Sequence, residues 1–193
     1  MNDKELMEIL SETGAIQGGH FLLSSGLHSE QYIQLARIFQ YPKHTSRIAN
    51  ALIEDFRFER PAVIAGIAHG GTILAYEVAR AIGARAIFAE RSNGELCLKR
   101  GFEVKNRERV LIVEDVLTTG KSVLELKSLL KSFQPLIVGV ASVVDRFDGE
   151  FKIRNKYSSL MKYTLPAYSK EECPLCKKEI PLFKPGSRDI VNV

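Results

Sequence analysis

The sequence predicts an α/β protein, a parallel sheet with helices on both faces, and three observations carry that reading. Apolar runs at residues 62–65, 86–89, 110–113 and 136–144 lack polar alternation, as strands covered on both faces do. Stretches with helical spacing of apolar residues separate several of these runs. Loops of unusual composition, 66–71, 114–120 and 145–148, follow three of the runs, and right-handed crossovers bring such loops to one ligand-binding edge.

The elements follow in order. Residues 2–13 read as a helix, with Asn2 and Glu5 at capping-box spacing, Leu6, Ile9 and Leu10 on one face, and Gly14 as the stop. Residues 18–26 are a short strand-like stretch between glycine-rich turns, and a helix follows Pro42 with Ile48, Leu52 and Phe56 in register. Residues 72–82 form a helix striped by Ile73, Leu74, Val78 and Ile82, and residues 122–133 another striped by Val123, Leu126, Leu129 and Leu130. One segment, 91–109, is long, charged and glycine-punctuated; Leu96 and Leu98, then Phe102 and Val104, alternate as in a small hairpin. Loops of that length inside compact domains are functional or disordered. The chain after Ser169, rich in Lys, Glu and Pro, is expected to wrap the surface.

Bulk composition narrows the class. A chain of 193 residues with 45% hydrophobic and 26% charged residues suits one soluble enzyme-like domain. The net charge of +4 is compatible with an anionic partner, either a phosphorylated metabolite or a nucleic acid. Asp3, Glu5 and Glu8 interrupt the N-terminal segment, and no uncharged run reaches the roughly 18–20 residues of a membrane span, so a cytoplasmic protein with no membrane partner is expected. Cys97, Cys173 and Cys176 make no disulfide framework, and His20, His28, His44 and His69 show no metal spacing. For His20, His28 and His44, surface or hydrogen-bonded roles are expected. Cys173-Pro174-Leu175-Cys176 supplies half a zinc site; a second copy or Cys97 could complete it, but a structural tail with free thiols is the expectation.

The most informative stretch is Val110-Leu111-Ile112-Val113-Glu114-Asp115-Val116-Leu117-Thr118-Thr119-Gly120-Lys121-Ser122. A buried strand delivers two adjacent acids, and a Thr-Thr-Gly turn then opens a helix whose first N–H groups, with Thr and Ser hydroxyls, suit a phosphate dianion. Carboxylates beside an anion site make sense if they hold hydroxyls or a cation, and a sugar phosphate with Mg²⁺ supplies both. A nucleotide P-loop ending at Lys121-Ser122 would need glycine where Asp115 stands. Gly66-Ile67-Ala68-His69-Gly70-Gly71, with Glu90 ending the next strand, is a weak dinucleotide fingerprint because Ala68 replaces its second glycine. A tight strand-to-helix turn explains it as well, and His69 there is a candidate for phosphate contact.

The 110–122 stretch resembles the phosphoribosyl pyrophosphate signature of the type I phosphoribosyltransferases. Ser24-Ser25-Gly26 with Ser29 and Tyr32, after Phe21-Leu22-Leu23, is similar to the N-terminal hood of the orotate-specific members, and Asp145-Arg146 looks like their base-binding arginine. The resemblance implies a phosphoribosyltransferase-type sheet with a hood at about 14–40, a core at about 45–168 and a tail at 169–193. It also implies transfer of phosphoribose from phosphoribosyl pyrophosphate to orotate, releasing pyrophosphate. Glu114 and Asp115 would hold the ribose hydroxyls, directly or through Mg²⁺. Val116, Leu117, Thr118, Thr119, Gly120, Lys121 and Ser122 would bind phosphoribosyl pyrophosphate together with Gly70, Gly71 and Arg91. Thr118, Arg146 and Ser24 would meet orotate, while Lys99 and Arg100 would act catalytically from the mobile loop. A homodimer with shared active sites is implied as well. The sequence departs from longer relatives, which carry lysine at the Ser24 position and near Gly70, and a histidine in the mobile loop. Other readings on the same fold are a phosphoribosyltransferase for another base, disfavoured by the hood and Arg146, and a phosphoribosyl pyrophosphate-sensing regulator. No nucleic-acid partner is expected, because no added DNA-binding domain or RNA-binding signature is present.

Overall fold

The structure, a computed structural model, describes residues 1–23, 25–147, 151 and 153–185. Helix α1 (Asp3–Glu12) leads into a hairpin, β1 (Ile16–Leu22) and β2 (His28–Ile33), followed by helices α2 (Ala36–Phe39) and α3 (Pro42–Glu54). Strand β3 (Val63–Ile67), helix α4 (Ala68–Ile82), strands β4 (Arg85–Ser92), β5 (Glu95–Leu98) and β6 (Arg109–Leu117), and helix α5 (Lys121–Leu130) come next. Strands β7 (Leu136–Asp145) and β8 (Tyr157–Lys162) and one helical turn, α6 (Pro174–Lys177), complete the order.

The main sheet runs β5-β4-β3-β6-β7-β8, parallel except for β5, which pairs antiparallel with β4. Its apolar runs are continuous because alternate residues feed two cores. Ile64, Leu111, Val113 and Val143 join the side of α1, α3 and α4, whereas Val63, Ala65, Ile112 and Val140 join the side of α5. The α1 capping box forms as expected: Asn2 Oδ1 accepts from Glu5 N–H and Glu5 Oε2 from Asn2 N–H, each at 2.9 Å. Pro42 opens α3, whose Ile48 and Leu52 are buried, and Phe56 just beyond it is fully buried.

Several expectations need correction. Helix α4 starts at Ala68, not at residue 72, because Ala68 takes φ +54° and turns the chain straight from β3 into the helix. Low helix propensity at Gly70 and Gly71 had hidden that first turn. Ile73 is 45% exposed, and the buried stripe is Leu74, Ala75, Val78 and Ala79. Strand β6 runs through both acids to Leu117, since Glu114, Val116 and Leu117 pair with Ser142, Val144 and Asp145 of β7. The hairpin in the 91–109 segment is β4–β5, turning at Asn93-Gly94 with φ +52° and +85°, and not the pairing of 96–98 with 102–104. Phe102 instead packs edge-on against Phe88 at 5.0 Å, and Val104 is buried. Strand β8 was not foreseen: Tyr-Ser-Ser-Leu-Met-Lys is a half-buried edge strand without an apolar run.

Through residue 185 the tail lies along the surface as expected, and it also clasps the N-terminal hairpin. Phe183 N–H donates to His20 O (2.8 Å) and accepts from Leu22 N–H (2.9 Å), while Tyr168 and His28 exchange backbone bonds of 2.9 and 2.8 Å. No helix among the described residues is long and apolar enough to cross a membrane.

Candidate active site

The ends of β3, β6 and β7 meet at one edge of the sheet, and the acid pair lies at its centre. Glu114 is buried at 8% exposure and Asp115 is half-buried, its Oδ1 accepting the Val116 N–H at 2.8 Å. Burial, reinforced by the adjacent Asp115, pushes the Glu114 carboxyl up to about 9, so it holds its proton at neutral pH. The start of α4 closes over the pair. A Cβ at Gly70 would lie 2.1 Å from Asp115 Oδ2, so only glycine lets the acid rest there. Gly71 approaches Glu114 Oε1 as well. Gly70 therefore has a packing role within the chain, beyond leaving backbone open to a ligand. His69 is exposed beside these glycines.

After Leu117 the chain turns through Thr118 and Thr119, both exposed, to Gly120 at φ +70°, and α5 begins at Lys121. Gly120 cannot cap the helix with a side chain, and no side-chain cap bond forms; Thr119 Oγ1 accepts a long bond from Lys121 N–H at 3.4 Å. The start of α5 thus keeps first-turn donors and its positive dipole end facing a small concavity lined by Glu114 and residues 116–123. Phe151 covers Gly120 from the other side, where a Cβ would sit 2.2 Å from its ring. Sequence reading missed this aromatic lid over the turn, for no local pattern links residue 151 to residue 120. Leu117 contributes only backbone to this edge, since its side chain is in the core. A larger depression, about 640 Å³ between α1 and α3, is lined by Glu5, Lys43, Arg47 and Glu54, away from the acid pair.

Arg146 leaves β7 with its N–H bonded to Leu117 O at 2.8 Å, which ties the two strand exits together. Its guanidinium is partly buried, and Nε has no hydrogen-bond partner among the described residues. Burial lowers its pKa from the usual arginine value, with Tyr32 of the hairpin acting in the opposite direction. Tyr32 in turn stacks near Phe21 at 5.6 Å, and Gln31 Oε1 accepts from Tyr163 OH at 2.9 Å, so the hairpin leans over this edge. A partly buried, under-used guanidinium suits a planar carboxylate ligand. Ser24 and Asp148 lie outside the described residues.

The cations of the β4–β5 segment are elsewhere engaged. Arg91 pairs with Glu125 of α5, Arg100 with Glu90 at 2.7 Å, and Lys99 Nζ donates to Ser92 Oγ at 3.0 Å. Lys121 stands 3.9 Å from the same Glu125, which places Arg91 near the first turns of α5. The structure thus gathers Glu114, Asp115, Gly70, Gly71 and residues 116–122 at one edge and sets Arg146 on the adjoining exit. Lys99 and Arg100 are bonded to their own hairpin.

Residues 34–171 match the Phosphoribosyl transferase domain family. The chain is 50% identical over 188 residues, 97% of its length and 99% of the relative's, to orotate phosphoribosyltransferase of Thermoanaerobacter sp. strain X514. It is 46% identical over 185 residues to the Thermotoga maritima orotate phosphoribosyltransferase, covering 96% of this chain and 99% of that one. The crystal structure of orotate phosphoribosyltransferase from Aeropyrum pernix superposes with a TM-score of 0.70 at 27% identity, covering 81% of this chain and 93% of that one.

The Glu114 carboxyl predicts a pH dependence for the ligand-free protein. Its proton is retained in the folded state up to about 9 but leaves the unfolded chain near the ordinary 4.5. The group's contribution is therefore fully present below 4.5 and is eroded as pH rises from there to about 9. Glu114→Gln removes that penalty. Its thermal midpoint should gain more over the parent at about pH 8 than at about pH 5, because only the higher value lies well inside the window. An equal gain at both pH values, by calorimetry, would contradict the buried, protonated state.

Proposed function

The chain belongs to the phosphoribosyl transferase family, among the orotate phosphoribosyltransferases, and from that membership we propose how its own residues perform the reaction. It transfers the 5-phosphoribosyl group from phosphoribosyl pyrophosphate to orotate, giving orotidine 5-phosphate and pyrophosphate, a step of de novo UMP synthesis. The observation that carries the reading is the acid pair of β6 set beside the uncapped start of α5, with Arg146 on the neighbouring strand exit.

Glu114 and Asp115 bind the ribose 2- and 3-hydroxyls, and residues 118–122 receive the 5-phosphate at the helix start. Their oxygen donors also fit a hard divalent cation, because two adjacent carboxylates at a strand end are electrostatically short of positive charge. Mg²⁺ held by the substrate and by Glu114 and Asp115 would neutralise the leaving pyrophosphate. Gly70 and Gly71 leave the first-turn backbone of α4 open for the diphosphate once Asp115 turns toward the sugar. Arg146 clamps the orotate carboxylate, and Thr118, exposed beside it in the turn sequence, meets the base. Positioning and a closed, dry site then do most of the work, since the bond breaks with charge growing on the ribose ring. Arg91, Lys99 and Arg100 supply cations for the pyrophosphate when the segment exchanges its carboxylate partners for the substrate.

We further propose a homodimer in which this segment serves the partner's site. Exposed Ile73 and Tyr76, adjacent on one face of α4, support an apolar contact between copies.

The overall reading is tested by following orotate absorbance after adding phosphoribosyl pyrophosphate and Mg²⁺; a folded protein that consumes no orotate refutes it. Asp115→Asn should lower kcat/KM by about a hundred-fold or more while leaving the fold intact. Near-parental turnover would remove the acid pair from the mechanism.

Arg146→Ala should weaken orotate about ten- to a hundred-fold, the value of one charge-assisted contact, with little effect on phosphoribosyl pyrophosphate. Separate titrations showing equal losses for both substrates would place Arg146 outside base recognition.

Mixed Arg100→Ala and Asp115→Ala dimers test site sharing. With random exchange about half the dimers are hybrid, each regains one intact site, and about a quarter of parental activity returns. Hybrids demonstrated by native mass spectrometry that stay inactive would confine Arg100 to its own subunit.

A further inference from the structure

The tail cysteines and two hairpin histidines, unrelated by sequence spacing, converge beneath the hood. His20 ends near the tip of β1 and His28 opens β2, so the hairpin turn sets their rings 4.9 Å apart. Cys173 and Cys176 arrive from the far end of the chain, one before α6 and one within it. His20, His28 and Cys173 are buried, and Cys176 is half-buried. This corrects two expectations: the histidines do form a metal-type set with the cysteine pair, and Cys97 takes no part, its thiol donating to Glu90 O instead.

We propose that His20 Nε2, His28 Nδ1, Cys173 Sγ and Cys176 Sγ form a structural zinc site that locks the C-terminal tail to the hood. The four ligand atoms lie within 4.8 Å of one another. Separations of 3.4 and 3.7 Å from His20 Nε2 to the two sulfurs, and 3.2 Å from His28 Nδ1 to Cys176 Sγ, suit the edges of a tetrahedron. Zinc bond lengths imply edges of roughly 3.3–3.8 Å between such ligands; the 3.2 Å separation falls just below that range, and the 2.9 Å gap between the two imidazole nitrogens would have to widen on binding.

The surroundings agree. His20 Nδ1 lies 2.7 Å from Ile180 O, a carbonyl that can only accept, so the proton sits on Nδ1 and the Nε2 lone pair faces the cluster. That carbonyl therefore acts as the outer partner that metal-binding imidazoles usually have. Binding Zn²⁺ would release both thiol protons to solvent, and two thiolates with two neutral imidazoles leave the buried group uncharged. Two nitrogens and two sulfurs in a tetrahedron favour zinc over magnesium or calcium, and four protein ligands leave no open position for catalysis. Both histidines carry the backbone bonds that attach the tail, so the ion would reinforce the clasp.

The test uses the full chain, expressed with added zinc, desalted and measured by mass spectrometry of its metal content. About one zinc per chain is expected in the parent and in Asp115→Asn, and none in the Cys173→Ser, Cys176→Ser double variant. Reduced apoprotein reconstituted with Co²⁺ should show thiolate charge-transfer absorption and the intense visible bands of tetrahedral cobalt, so the result does not rest on the variant folding. Removing the metal should lower the thermal midpoint by about 5 °C or more. A parent chain without zinc, zinc retained by the double variant, or cobalt bound without a thiolate band would each overturn the proposal. So would a mass showing that Cys173 and Cys176 are oxidised to a disulfide in the active protein.

Discussion

Two adjacent carboxylates at the end of a central strand, in a sheet covered on both faces, are the constraint around which the rest is arranged. Glu114 cannot leave the site, because its backbone is in the ladder with Ser142 of β7, and it cannot easily ionise there. The protein tolerates this by retaining a proton and by packing Gly70 against Asp115. Such a pair is poorly satisfied on its own and well satisfied by hydroxyls and a cation, so binding energy is available at the place where the ribose must be held. The turn after β6 follows the same logic, for Gly120 leaves the helix start without a cap and an incoming phosphate can complete it.

The base side of the site depends on contacts between distant parts of the chain. Arg146 is tied to β6 through Leu117, while Tyr32, which acts on its charge, belongs to a hairpin held from the far end by Tyr168 and Phe183. His20 and Ile180, separated by 160 residues, bond directly. A two-stranded hairpin alone is marginal in water, so its attachment to the tail matters for keeping Tyr32 near the guanidinium. The cations of the β4–β5 segment show the opposite design. Exposed Arg91 and Arg100 rest on half-buried carboxylates and Lys99 on a hydroxyl, and such solvent-screened pairs are exchangeable, which suits a segment that must trade them for a polyanion.

Much of this was legible in the residue order because the signals were local. Unalternating runs marked the parallel strands, Asn2 and Glu5 marked the first cap, and Glu114-Asp115 before Thr118-Thr119-Gly120 marked the ligand edge. The Asn93-Gly94 turn is likewise a local hairpin signal, set within a segment whose charge masks the strand pattern on either side of it. Strand β8 was not legible, because an edge strand covered on one side needs no apolar run. The early start of α4 was hidden by its glycines, whose low helix propensity was outweighed by packing against Asp115 and Val113.

By itself, then, the sequence determined the α/β class, the family and the positions where acids, phosphate-binding turn and arginine leave the sheet, because each rests on periodicity or on residues a few positions apart. Only the tertiary structure decided that Glu114 keeps its proton, that Phe151 covers Gly120 and that Tyr32 of the hairpin comes close enough to Arg146 to influence its charge. It alone also brought His20 and His28 to Cys173 and Cys176. Burial and long-range pairing set these features, and neither is encoded in the spacing of neighbouring residues; they arise when the sheet, hairpin and tail exclude water together.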